Sequence, residues 1–357
     1  LPYLTAISQS FSSELDFCYL TVLDTQTSKP VLIASYQLVA FVFKADTQPP
    51  KIVRHCSQKS DGFFMLYMLV CGNVFMSGEH GFVKSNDIDD KTAFGLVEKG
   101  MAKACKILRR QTGKKISVQL FKEFAPQTLS SSSCLEEKGY QDFEIDVYMS
   151  LPIDSAWDSI ETYFDAYKAK FRTKARSVFA KASALSIRSF SEAEILHHHV
   201  AIDVLFLQVL GKSEYQFGVM NASGFASLKQ HLGAQFIFRA VFLKDALIGF
   251  STSFINGLSL EANFVGIDYD QNVQYAVYQR LLYDYVYLAI DNRVAMLHYG
   301  RTSELLKSSL GAVATPMKLY AKHTSKITHL LMSSILKKQS PSAFELRKPF
   351  KASYYVE

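Results

Sequence analysis

Cysteine pairs are missing from this sequence. Its five cysteines, Cys18, Cys56, Cys71, Cys105 and Cys134, are odd in number, scattered and never spaced as CxxC. That excludes a disulfide framework and fits reduced thiols in a cytoplasmic protein. Long apolar runs are missing too. The longest, Val31 to Phe43, is broken by Ser35, Tyr36 and Gln37, so nothing reaches the ~20 apolar residues of a membrane span. Neither sign of charge dominates: 39 Lys and Arg face 33 Asp and Glu, a formal net charge of +6. So small an excess accommodates an anionic substrate or a membrane surface, and gives no reason to expect DNA as a partner. Tryptophan occurs once, but Phe and Tyr number 27 and 19, and the hydrophobic share is 48%. This is the composition of a folded chain.

At 357 residues a single core is uncomfortable, so two domains are expected. In order, Asp16 to Leu23 and Val31 to Phe43 read as strands, and Met65 to Val83 as a strand region whose Gly72, Gly78 and Gly81 imply bulges or close backbone approach. Ala93 to Arg110 reads as a helix stopped by Gly113, followed by a strand at Ile116 to Phe124, a short helix ending near Gly139 and a strand at Phe143 to Met149. The second half repeats the order. A strand over Ser251 to Ile267 leads to a polar turn (Asp268 to Asn272), a long helix (Val273 to Asp291) and a strand (Val294 to Tyr299). A short helix (Ser303 to Leu310) and a last strand (Met317 to Ala321) close it. One order used twice, offset by roughly 175 residues, suits a duplicated domain and not a solenoid. The expected division is 1–150, 151–330 and a C-terminal extension, 331–357, whose tail from Ser340 carries Pro341 and Pro349. The sequence begins at Leu1, which leaves an upstream segment open.

Between the halves, Ala156 to Lys181 reads as one amphipathic helix, with Ser155 and Asp158 as its capping box. Lys168, Arg172 and Arg176 fall on one flank of its apolar stripe, and Lys170, Lys174 and Lys181 on the other. Solvated flanks account for this pattern. So does a cleft-facing flank for a phosphorylated or carboxylated ligand, for which Arg172 and Arg176 have the right forked geometry. A short strand (Ser186 to Phe190), a helical region interrupted at Gly211 and Gly224 (Ser191 to Leu232), and strands at Gln235 to Leu243 and Leu247 to Phe254 follow. The run His197, His198, His199 is no metal site by its spacing, because neighbouring helical residues point ~100° apart. No metal is expected.

Two stretches, VGIDYDQNVQYAVYQRLLYD (Val265 to Asp284) and LHYGRTSELLKSSLGA (Leu297 to Ala312), resemble the GNAT acyltransferase fold. LVCGNVFMSGEHGF (Leu69 to Phe82) and the basic YKAKFRTKAR helix support the likeness. Two such units in tandem resemble the FemAB-type transferases. The resemblance implies an α/β (α+β) architecture of two tandem GNAT-like domains, each a mixed central sheet flanked by helices. It implies transfer of an acyl or aminoacyl group to an amine of a small molecule or cell-envelope precursor. The donor it implies is acyl-CoA or an aminoacyl-tRNA. Glu261 is then the expected base, with Tyr278 and His298 as further catalytic residues and Arg301, Lys307, Arg172, Arg176 and Asn272 as binding residues. Edge exposure for Glu261, a core position for His298 and a plain ion pair for Glu304 and Lys307 are the structural alternatives. The turn DYDQNVQYAVY departs from the GNAT pattern. It lacks the glycines that hold the coenzyme A pyrophosphate, and Asp268 and Asp270 would repel that group. A non-catalytic relative that retains the cleft for binding is the alternative function. RNA binding through the basic helix ranks below it.

Overall fold

The computed structural model describes residues 2–11, 15–44, 58–60, 63–212, 219–337 and 344–355. Cys56 and the start of the tail at Ser340 and Pro341 lie outside the described residues. The first half holds α1 (Pro2–Ser10), β1 (Asp16–Leu23), β2 (Pro30–Lys44), β3 (Gln58–Ser60), β4 (Phe63–Cys71), β5 (Phe82–Lys84), α2 (Asp90–Thr112), β6 (Ile116–Phe124) and β7 (Gln141–Pro152). Then come α3 (Ile160–Asp165), α4 (Ala169–Lys181), β8 (Leu185–Ser189), α5 (His199–Leu210), α6 (Ala222–Leu232), β9 (Phe236–Leu243), β10 (Ala246–Asn256) and β11 (Ser259–Ile267). The chain continues through α7 (Tyr269–Tyr275), α8 (Val277–Asp291), β12 (Met296–Gly300), α9 (Glu304–Ser309) and β13 (Val313–His323).

The repeated order is visible in the strand pairing. β4 and β6 run parallel around α2, as β11 and β12 do around α8, and the remaining pairs are antiparallel. What pattern reading could not show is where each half puts its last strand. β13 pairs with β6 of the first half, β7 pairs with β12 of the second, and the two lie side by side. The halves therefore share one continuous sheet, ordered β1-β2-β4-β6-β13-β7-β12-β11-β10-β9-β8 among the described residues. Helices cover both faces, which is why β10 is buried continuously from Ile248 to Phe254 instead of alternating.

Several expected elements change. The strand over Ser251 to Ile267 is a hairpin, β10 and β11, turning at Gly257 with φ +58°. The expected polar turn is helical: Asp268 caps α7 by accepting from the Asp270 N–H. Ala276 at φ +50° separates α7 from α8, so the expected single helix is two. Gly224 does not interrupt a helix; it lies inside α6, packed against Ser10 and Met220. The expected helix Ala156 to Lys181 is split at Ala166–Lys168, and its capping box is Ser159 with Thr162, not Ser155 with Asp158. The split has a tertiary cause. The tail crosses there, where Lys168 N–H donates to Pro349 O (2.8 Å) and Lys351 N–H to Ala166 O (2.9 Å).

Candidate active site

β11 and β12 pair only at Ser259 with Met296, Leu260 with Leu297 and Glu261 with His298, and then diverge. A bulge explains the split. Asn263 and Phe264 of β11 oppose the single residue Thr252 of β10, whose hydroxyl accepts the Phe264 N–H (2.9 Å). Two residues against one bend a strand, and the bulge begins two residues after Glu261. The corresponding β2–β4 ladder of the first half is unbroken, and Lys122 fills the space beyond the β4–β6 pair. Its ammonium donates to the carbonyls of Asn73 (2.8 Å) and Met76 (2.9 Å). The second split instead borders the smaller of two cavities, lined by Glu261, Tyr148 and Arg301.

At that fork, register puts three side chains in one row. Ser150 of β7 is opposite His298 of β12, which is opposite Glu261 of β11. Ser150 Oγ lies 3.0 Å from His298 Nδ1, and His298 Nε2 lies 3.9 Å from Glu261 Oε1. Tyr148, two residues along β7 and so on the same face, donates its hydroxyl to Glu261 Oε2 (3.1 Å). Burial pushes the Glu261 carboxyl up to about 7, an effect the Tyr148 hydrogen bond partly offsets. Burial, and secondarily His80, hold the His298 imidazole below its usual range. Near neutrality the pair thus holds a single proton on the carboxyl or none, the condition of a base ready to accept one.

Two cavities meet at Glu261 and Met76: a larger one of about 380 Å³ and a smaller one of about 230 Å³. Loop 72–81 of the first half helps wall both. It is held down by Asn263 Nδ2 donating to Phe75 O (3.2 Å) and by Gly78 N–H donating to Glu123 Oε2 (2.7 Å). Glu123 is buried, and its other oxygen faces Arg301 Nη1 at 3.2 Å and Lys122 Nζ at 3.5 Å. One carboxylate therefore ties the roof loop, the first half and the arginine of the smaller cavity together. Glu123→Gln preserves the shape but leaves two cations without a counter-charge. Because Lys122 keeps its two carbonyls and Arg301 is part-exposed, a loss of about 1–3 kcal/mol is expected, read as a lowered urea midpoint with unchanged slope.

Of the residues singled out from sequence, Glu261, His298 and Arg301 come together at the fork. The others lie apart. Tyr278 donates to Ser303 Oγ (3.3 Å) beside the smaller cavity, and Asn272 Oδ1 accepts the Tyr278 N–H (2.8 Å), which caps α8. Lys307 is buried and bound to the carbonyls of Tyr299, Gly300 and Arg301, and burial pulls its ammonium down to about 7. Arg172 faces Asp165 at 3.4 Å, Arg176 is exposed, and neither lines either cavity. Tyr148, Ser150, Glu123 and the roof loop escaped the sequence reading. Tyr148 and Ser150 sit in a strand whose partner only the exchange of last strands supplies.

No protein-family model matches the sequence, and no curated protein matches it significantly. Solved structures do. FemX superposes with a TM-score of 0.54 at 9% identity, over 92% of this chain and 93% of that one. A tandem GNAT protein from the clavulanic acid biosynthesis pathway, solved without AcCoA, gives 0.52 at 7% identity over 91% and 88%. L-PGS from Bacillus licheniformis gives 0.51 at 7% over 94% and 96%. The chain has the tandem GNAT, FemAB-like fold.

In a GNAT fold the helix after the split strand is where a coenzyme A pyrophosphate would be held by free backbone amides. These residues do not fit it. Asp268 and Asp270 stand at the start of α7, Asp268 already accepts a backbone N–H there, and Asn272 occupies the Tyr278 amide at the start of α8. At these two helix starts the Asp270 and Tyr278 amides are taken by the chain's own Asp268 and Asn272 side chains. Among the described residues, no group of three or more His, Cys, Asp or Glu could hold a metal ion. No described helix is long and apolar enough to cross a membrane.

Proposed function

We propose that this protein is an N-acyltransferase, moving an acyl or aminoacyl group from an activated carbonyl to an amine at the β11–β12 fork. The supporting observation is a buried carboxyl, Glu261, with its affinity for protons raised to neutrality where two cavities meet. In this reading Glu261 takes the proton from the incoming ammonium, the freed nitrogen attacks the donor carbonyl, and collapse of the tetrahedral adduct breaks the donor's acyl–oxygen or acyl–sulfur bond, the second nitrogen proton leaving with the released hydroxyl or thiol. Arg301, held by Glu123, is the cation beside the smaller cavity that faces the developing oxyanion. His298 and Ser150 fix the orientation of the fork, and Tyr148 holds Glu261. The side-chain caps at the starts of α7 and α8 favour an aminoacyl-tRNA over acyl-CoA as donor, and an envelope precursor or small molecule supplies the amine. We take 1–150 and 151–330 as the two copies, 331–357 as an extension, and the cytoplasm as the compartment that keeps Cys18, Cys71, Cys105 and Cys134 reduced.

Melting temperature measured against acetyl-CoA, longer acyl-CoAs and aminoacyl-tRNA is expected to rise with the true donor. Mass spectrometry is then expected to find that donor's acyl group on an added amine. Stabilisation without any product would leave only a binding protein, and neither stabilisation nor product would end the proposal.

A further inference from the structure

We infer that the larger cavity is the acceptor site and that its acceptor is a primary amine carrying an apolar or aromatic body. The inference rests on Glu261 as the proton acceptor and adds the substrate class to that reading. At about 380 Å³ the cavity lies within the ~300–1,000 Å³ of small-molecule sites. Tyr3 of α1, Ile33 of β2, Phe82 of β5, Leu232 of α6 and Phe254 of β10 give it apolar walls from five elements. Its charges are of one kind. Glu79 and Glu261 line it, and no Lys or Arg does among the described residues. Glu79 is fixed by the Ala125 N–H (2.8 Å) and the Thr128 hydroxyl (2.6 Å). Burial keeps His80, which also lines the cavity, below its usual range and so neutral. A carboxylate ligand is repelled by such a site, a neutral hydrocarbon gains burial alone, and an alkylammonium gains burial and an ion partner. The smaller cavity differs in carrying both signs: there Arg301 joins Glu261, Tyr148, Asn263 and Thr302, a lining for a carbonyl and its polar surroundings.

Calorimetric titration of the full chain at pH 8 with butylamine, hexylamine and phenethylamine tests this, with hexanol and hexanoate as controls. Affinity is expected to rise three- to fourfold per added methylene, phenethylamine to bind at least as well as butylamine, and hexanoate not to bind. Ile33 is 40% exposed and Val83 68%, so Ile33→Trp and Val83→Trp can fill the mouth without disturbing the core. Each is expected to weaken hexylamine at least tenfold. Affinity independent of chain length, or hexanoate binding as well as hexylamine, overturns the inference. If hexylamine binds as expected but Glu261→Gln retains full transfer, the base assignment falls and the acceptor site stands.

Discussion

Glu261→Gln is expected to lower the rate of transfer by about 10²–10⁴-fold, the usual contribution of a positioned general base, while raising stability above neutral pH. Both effects come from one cause. The folded protein holds the Glu261 carboxyl at about 7 against an ordinary value of 4.5, so between those two pH values the folded state binds more protons than the unfolded one. Stability therefore falls as pH rises through that window, and above it the buried carboxylate costs at most about 3 kcal/mol. Glutamine carries no such penalty. Thermal melts at pH 5 and 8.5 check the sign: the variant should match the parent more closely at pH 5 and exceed it at 8.5. The transfer rate of the parent should itself rise with pH through about 7, as the carboxylate form appears. An active variant, or one destabilised equally at both pH values, would remove Glu261 from the chemistry.

Much of this architecture was legible in the residues. The β6 strand, the helix ended by Gly113 and the repeated order of elements follow from local pattern, because apolar periodicity and turn chemistry act within a few residues. Glu261, His298 and Arg301 could be proposed from sequence because each lies in, or directly after, a recognisable strand. Tyr148 and Ser150 could not. They reach Glu261 and His298 only because β7 leaves its own half to pair with β12, and a register between residues more than a hundred positions apart leaves no local trace. The bulge at Asn263 and Phe264 is equally silent, since the residue that answers it, Thr252, is on another strand. Nor could composition tell the fork that borders a cavity from the one that Lys122 fills. Each half has a parallel strand pair with a helix, and the difference lies in where one lysine places its ammonium. Lys307 is the converse case: its position on a short helix beside Arg301 suggested a ligand contact, and no local pattern showed that its ammonium is bonded to the carbonyls of Tyr299, Gly300 and Arg301.

The split in the Ala156 to Lys181 segment leads to the other large effect. Phe350→Ala is expected to destabilise the protein by about 3–5 kcal/mol, the range for truncating a buried phenylalanine. Phe350 is 5% exposed, and its ring centroid lies 5.3 Å from Trp157, 5.9 Å from Tyr163 and 5.2 Å from Tyr167. Its ring also fills the space above Gly311, where an added Cβ would lie 2.2 Å from the ring and the backbone φ is +97°. The surrounding atoms have little freedom to close the void. Tyr163 donates to Leu310 O (2.6 Å), and the tail backbone is pinned at Ala166 and Lys168. Leu310 and Gly311 lead into β13, the strand that crosses into the first half, so the loss should be felt by the whole sheet. Urea denaturation should show one shifted transition and not an early loss of the tail alone. Tyr354→Ala is the control: that ring is 39% exposed and should cost well under half as much. If Phe350→Ala costs no more than Tyr354→Ala, the tail is an ornament on the helix junction. If it costs several times more, the Phe350 segment clamps β13 where it pairs with β7, the strand that carries Tyr148 and Ser150 to Glu261 and His298.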